Sequence, residues 1–473
     1  MTNLRKSLRG AALGALLAAS AVAVPTLASA QALFSAPERL DGGQVGFSSG
    51  ERGKPVLPGG PVVANGRGFH PGQSITLMYG QTPLSTGPIT ANAEGGFEAR
   101  LTLPANAQPG NHPIVAVSQS PYNAVLADLK ISPNVPLSNE AAYRITSIQP
   151  TRGLYQTAYS AKRNAVFATS AVGRPPVRQS ELLRLNADTL AVEARVTPAA
   201  APGRTGRDGQ PQDGGVFAVY GVGVDDANDT VWVSNSRQNT VAVYRQSDLS
   251  LVRQFEPGTV NHARDVVIDE EHGKAYASAT FEPEVVVFDT AALTVAKRIK
   301  IDSTVRGETF SAASVSYDRD ARRLYVASNS TNEVAVIDTA ADTVLNVFRV
   351  PGARSVIGVS HDPQTDRIFV AAQGTDNLVV LNGSDGSVVA DTPVGAGALN
   401  VVFEPKSRRA FVSTFGAGTV TVTDVDGRIV ANLPAPPVAN HVSADGRGNV
   451  YVAVKSGWTT DGNDSVLRIR PAR

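Results

Sequence analysis

The chain has 473 residues, with 43 Lys and Arg against 42 Asp and Glu, and no cysteine. A formal charge of +1 argues against a surface built as a whole for nucleic acid or anionic membrane. The missing cysteine excludes disulfides, thiolate-bound zinc, c-type haem attachment and thiolate-held iron–sulfur clusters.

Residues 1–30 carry Arg5, Lys6 and Arg9, then an apolar run over 11–24, then Ala28-Ser29-Ala30. This is the three-part pattern of a secretory signal peptide, with cleavage expected between Ala30 and Gln31. The apolar run is short and alanine-rich for a membrane span, so a periplasmic, extracellular or cell-surface protein with no membrane span is expected. Its removal takes away three basic and no acidic side chains, leaving a mature charge of about −2.

Residues 31–60 read as a Gly/Pro-rich linker. From 61 to 132, short alternating runs at 74–79, 97–103 and 114–117 are separated by Pro-Gly, Gly-Gly and Asn-His-Pro, which predicts a small β-sandwich. Gly68-Phe69-His70-Pro71-Gly72-Gln73, Gly95-Gly96-Phe97, Leu103-Pro104-Ala105 and Pro109-Gly110 resemble the immunoglobulin-like modules of exported bacterial proteins. The resemblance implies a spacer or adhesion module, and His70 is read as a solvent-facing turn residue. Residues 133–140, with Pro133 and Pro136, form a stiff connector.

The remainder, 141–473, repeats. An aromatic flanked by small apolar residues recurs at Phe167, Trp232, Tyr276, Tyr325, Phe369, Phe411 and Tyr451. From Trp232 onward the spacing averages about 44 residues, the length of a four-stranded propeller blade. Seven anchors predict seven blades. The fold class is therefore all-β, a seven-bladed β-propeller preceded by a small immunoglobulin-like β-sandwich. The last repeat lacks an outer strand, and the unassigned run 142–148 is expected to supply it and close the ring. Residues 198–215 read as a mobile insertion, and 301–310 as a second excursion.

Arg323-Leu324-Tyr325-Val326-Ala327-Ser328-Asn329, followed by Asn332-Glu333-Val334-Ala335-Val336-Ile337-Asp338-Thr339, resembles the YVTN-type β-propeller repeat. Val231-Trp232-Val233-Ser234-Asn235 with Asn239-Thr240-Val241-Ala242-Val243 is a second copy. The resemblance implies the fold and an exported or surface location; it carries no shared catalytic residue set. The Gly-x-x-Pro-x-Gly-type approach to the inner strand is eroded in most copies, and the first blade diverges.

Ligands are expected at the mouth of the propeller channel, where the loops entering the inner strands carry Tyr155, Tyr220, His262, Arg264, Arg306, Glu308, Arg354, Asn400, Asn440 and His441. Arginine forks and tyrosine faces suit an anionic or hydroxyl-rich ligand. The six histidines show no metal-ligand spacing, there is no Gly-x-Ser-x-Gly elbow, and neither a metal nor another cofactor is expected. Asp269-Glu270-Glu271, Asp318 and Asp362 occupy equivalent turns and read as turn formers before calcium ligands. Between Arg152 and Asp208, nine basic residues face four acidic ones.

The function expected is that of an exported non-enzymatic binding or scaffold protein, a monomer, whose partner is a protein, a polysaccharide or another anionic ligand. A propeller hydrolase or lactonase acting at the channel mouth is the second reading. A nucleic-acid or polyanion binder using the basic sector is the third.

Overall fold

The computed structural model describes residues 42–119, 121–205, 209–456 and 464–472. The signal peptide, its cleavage site, the first part of the expected linker, Arg207 and Asp208 lie outside the described residues. Residues 43–473 form one compact unit. Among the described residues no helix is long and apolar enough to cross a membrane.

Two antiparallel sheets open the chain. One joins Gln44–Ser48, Pro61–Arg67 and Phe97–Thr102; the other is built on Ser74–Tyr79, Gly110–Gln119 and Asn123–Ile131. Their alternation buries Val62, Ala64 and Phe97 from the first against Ile75, Leu77, Ile114, Ala116 and Leu129 from the second. Phe69 packs on Phe97 with ring centroids 5.5 Å apart. Gly95 makes this possible: it has φ +74°, and a Cβ there would lie 2.1 Å from the Phe69 carbonyl oxygen. Gln44–Ser48 falls inside the stretch expected to be linker, yet it pairs along its length with Val63–Arg67 of the next strand. Its Val45 and Phe47 pack against the core, which is the gain that orders it.

The rest is a β-propeller of seven four-stranded antiparallel sheets. Their inner strands are Leu154–Ser160, Val222–Asp225, Ala263–Asp269, Ala312–Asp318, Val356–Asp362, Ala398–Glu404 and Ala439–Ala444. The seventh blade takes its outer strand from the opposite end of the propeller sequence. Tyr143–Ile148 pairs antiparallel with Val466–Pro471, Ile145 facing Ile469.

Seven apolar cores lie between neighbouring blades, and each repeat aromatic serves the junction to the next blade. Phe167 packs into the core shared by blades 1 and 2, Trp232 into that of 2 and 3, and Tyr276 into that of 3 and 4. Tyr325, Phe369, Phe411 and Tyr451 continue the series, the last joining blade 7 to blade 1. Every one is buried. The recurrence seen in the sequence is thus a recurrence of inter-blade anchors, each burying on the order of 150–250 Å².

At the far end of the inner strands, carboxylates hold the first hairpin turn of their own blade and reach to the next. Asp318 accepts from the Ala321 N–H at 3.0 Å and lies 2.6 Å from His361 Nδ1 of blade 5. Asp362 accepts from the Gln364 N–H and binds Arg408 of blade 6 through both oxygens. Glu404 accepts from Ser407 and from Gly448 of blade 7. These acids are turn formers and blade staples, and no cluster suited to a metal ion occurs among the described residues.

The insertion 198–215 carries a short hairpin, Arg204–Thr205 with Pro211–Gln212, and a bridge between Ala200 and Val216. Four arginines among the nine basic residues of the basic sector are paired with acids as follows. Arg163 binds Asp229, Arg184 binds Glu193, Arg178 binds Asp213 and Arg195 lies 3.5 Å from Glu181.

Candidate functional site

The seven inner strands enclose a channel of about 460 Å³ lined from every blade, including Gln156, Thr157, Asp265, Ser314, Ser360, Asn400, His441 and Ser443. In six blades the inner strand slips register against its neighbour at its start. The slips fall at Tyr155-Gln156, Arg264-Asp265, Ala313-Ser314, Ile357, Leu399 and Asn440. A bulge adds a residue and re-aims its side chains, so the sequence positions feeding the mouth are those freed from strict alternation. Blade 2 lacks the slip; Tyr220 and Gly221 bond instead to Ser234.

Antiparallel pairing sets the start of each inner strand beside the end of the second strand. The loop between second and third strands therefore joins the same mouth. This brings Arg237 beside Tyr220, Phe281 onto His262 and Lys455 over Tyr155.

Tyr155 is the centre. Its ring stands edge-on to Tyr220, centroids 5.2 Å apart, and the Lys455 Nζ lies 5.3 Å from its centroid. Its carbonyl accepts from Asn440 Nδ2 at 2.7 Å. Tyr220 is buried; burial raises its pKa, opposed by the Arg237 guanidinium beside its hydroxyl. His262 stacks on the exposed Phe281 at 4.3 Å. Burial, then Arg237 and Arg264, lower the His262 pKa, so the ring is neutral at pH 7. Lys455 is depressed by burial and by Arg237, against the field of Asp464.

Arg264 is mostly enclosed, and its Nε has no hydrogen-bond partner among the described residues; Asp265 stands 3.9 Å away. Burial opposes its charge, but Tyr155 and Asp265 outweigh burial, and the guanidinium holds its proton. Asp265 is occupied elsewhere: it accepts from Gln156 Nε2 at 2.5 Å and from the Val315 N–H at 3.2 Å. Below it, His441 Nδ1 accepts from the Thr157 N–H at 3.3 Å, which leaves the proton on Nε2. Burial pulls the His441 pKa down to about 4, with Asp265 opposing and Arg264 adding. Asn400 is buried in the channel wall of blade 6.

Three expected site residues stand apart. Arg354 lies on the mouth face but pairs with Asp128 of the N-terminal sheets at 3.7 Å. Arg306 and Glu308 are exposed on the 301–310 excursion; of the ten expected residues, Asn400 and His441 are the two that line the channel itself. Glu333 anchors the start of that excursion, accepting from Ser303 Oγ at 2.7 Å and from the Thr304 N–H at 2.8 Å. Arg237, Phe281, Lys455, Gln156 and Asp265 were missed. The usable signal was positional: Arg237, Phe281 and Lys455 each follow the end of an anchor strand within three residues.

No family model matches the chain, and no curated protein sequence matches it. Solved structures do resemble it. The hydrazine synthase of Kuenenia stuttgartiensis matches at 15% identity with a TM-score of 0.55, over 68% of this chain and 97% of that one. Virginiamycin B lyase from Staphylococcus aureus matches at 10% identity with a TM-score of 0.51, over 70% of this chain and 100% of that one. At such identities the likeness is one of fold. This chain is a β-propeller.

Proposed function

We propose that this chain is an exported, non-enzymatic binding protein of the YVTN-repeat type whose channel mouth captures an anionic, hydroxyl-bearing ligand. The N-terminal sheets, read as an immunoglobulin-like module, act as a fixed spacer beside that mouth. The observation carrying this reading is the gathering of Arg237, His262, Arg264 and Lys455 around the Tyr155–Tyr220 pair. The nearby acids have other work: Asp265 binds Gln156 and Val315, and Asp464 accepts from the Gly153 and Leu154 N–H groups. Guanidinium forks suit a carboxylate or phosphate, while the exposed Phe281 offers a face for a sugar ring.

The test is calorimetry with an acidic oligosaccharide and a neutral one of equal length. The acidic ligand should bind with salt-dependent affinity, and Arg237→Ala with Arg264→Ala should weaken it by about tenfold or more, since a lost charge-assisted bond is worth about 1.5–3 kcal/mol. Equal affinity for both ligands, or indifference to both substitutions, overturns the reading.

A further inference from the structure

Polar side chains in an open channel need only meet water, so their presence alone points to no ligand. Their distribution here is uneven. On the side of blades 1–3, each polar side chain lining the channel is already bonded within the protein. Gln156 donates to Asp265 at 2.5 Å and accepts from the Val222 N–H at 3.2 Å. Asp265 also accepts from the Val315 N–H, Thr157 bonds Ser443 at 2.8 Å, and Tyr159 donates to Asn164. The rest of that wall is apolar, with Val222, Val224, Val266 and Ile268 in it.

Blades 4–7 present the opposite. Asn400 is buried with its backbone bonded to Ser413, and its side-chain amide has no partner among the described residues. The Ser314 hydroxyl is enclosed and unpartnered among them, and the Ser316 hydroxyl makes no hydrogen bond among them either. Ser360 accepts from the Phe403 N–H at 2.9 Å and keeps its own proton uncommitted. His441 takes the Thr157 N–H on Nδ1, so its Nε2–H is a donor without a protein acceptor among the described residues. Charge is balanced locally: Arg264 stands 3.9 Å from Asp265, and Arg319 at the far end pairs with Glu270 at 2.9 Å. An ion of either sign finds no spare counter-charge in this channel.

We infer that the channel is a second binding site, separate from the mouth, for an uncharged monosaccharide. Ring hydroxyls both donate and accept, as the Asn400 amide and the serines do, and the His441 Nε2–H adds a donor. The C–H face of the ring lies against the apolar wall of blades 2 and 3. A channel of about 460 Å³ falls within the about 300–1,000 Å³ of small-molecule sites. Its lining reaches the exposed Arg319 and includes none of Tyr155, Tyr220, His262 and Arg264, which puts the entrance on the face opposite the mouth.

The test is equilibrium dialysis of the full chain against a mixture of glucose, galactose, mannose, xylose, glucuronate and galacturonate, read by mass spectrometry of the retained sugars. At least one neutral sugar should be retained at millimolar concentration. Asn400→Leu keeps the volume, removes the amide and should weaken that retention by about tenfold. Ser316→Ala, a smaller change, should weaken it by about threefold and keeps the test decisive where Asn400→Leu unfolds. Neither uronate should show retention that responds to these substitutions. The inference is overturned by retention of no neutral sugar, by retention indifferent to both substitutions, or by uronate retention that falls with them as far as neutral retention does. Each of these outcomes leaves the anion site at the mouth standing, since that reading is tested on Arg237 and Arg264.

Discussion

The Lys130 ammonium donates to Asp376 Oδ1 at 2.6 Å and to the Gln373 carbonyl at 2.8 Å, joining the N-terminal sheets to the mouth face of the propeller at blade 5. Asp376 is buried and also accepts from the Gly397 N–H of the loop leading into blade 6. Asn111 reaches the Gly374 carbonyl, and Arg354 pairs with Asp128 beside it. The connector is stapled too: Ser138 bridges to Asn432, whose Nδ2 donates to the Val135 carbonyl at 2.9 Å. The sheets and their connector are therefore fastened to blades 5 and 6.

Lys130→Ala is expected to loosen this junction. It strands a carboxylate whose Oδ2 already has no partner among the described residues. Breaking a buried pair costs about 3–5 kcal/mol, but Lys130 is one-third exposed, so about 1–3 kcal/mol is expected. Small-angle scattering should show a larger radius of gyration for Lys130→Ala and little change for Asp376→Asn, which removes the buried charge and keeps an acceptor for Gly397.

Ring closure rests on Tyr143–Ile148. Ile145→Asp places a charge against Ile469 and the blade 7 core, and should destabilise the propeller by about 2–4 kcal/mol. A chain beginning at residue 150 should melt well below one beginning at residue 141. Equal melting temperatures would show that the seventh blade does not need its borrowed strand.

Arg408→Ala tests the staples on the opposite face. Burial raises the Asp362 pKa, but bonds from Arg408, Thr365 and the Gln364 N–H outweigh it, and the carboxyl titrates below its usual range. A carboxylate depressed in the folded state contributes stability at neutral pH that is lost as pH falls from about 4 through its folded pKa. Without Arg408 the enclosed charge is uncompensated, a loss of about 2–4 kcal/mol in urea unfolding at pH 7, and the acid limb of the stability curve should flatten.

His441 gives the opposite limb of reasoning. Its folded pKa is about 4 against about 6.5 unfolded, so the unfolded chain binds the extra proton between those values. Stability from this residue is complete above pH 6.5 and lost as pH falls toward 4, by up to about 3 kcal/mol. Urea midpoints at pH 7.5 and pH 5 should differ more for the parent than for His441→Asn.

The seven blades were legible because their causes are local. Each hairpin pairs strands a few residues apart, and each anchor aromatic recurs at the spacing of one blade. The closing strand was legible by subtraction, as one blade lacked an edge and one run lacked a blade. Gln44–Ser48 was not, since its order comes from a core built by residues further along the chain.

The sequence by itself determined the propeller architecture and the ring closure, and it named Tyr155, Tyr220, His262, Arg264, Asn440 and His441, which the fold sets near one another. Only the tertiary structure decided that Arg354 serves the N-terminal sheets, that Glu333 anchors the loop bearing Arg306 and Glu308, and that Arg237 and Lys455 lie beside Tyr220 and Tyr155. The reason is distance along the chain. Lys455 meets the Tyr155 ring across 300 residues of separation, and Lys130 meets Asp376 across 246. Local pattern encodes hairpins and blades; contacts of that span exist only once the ring has closed.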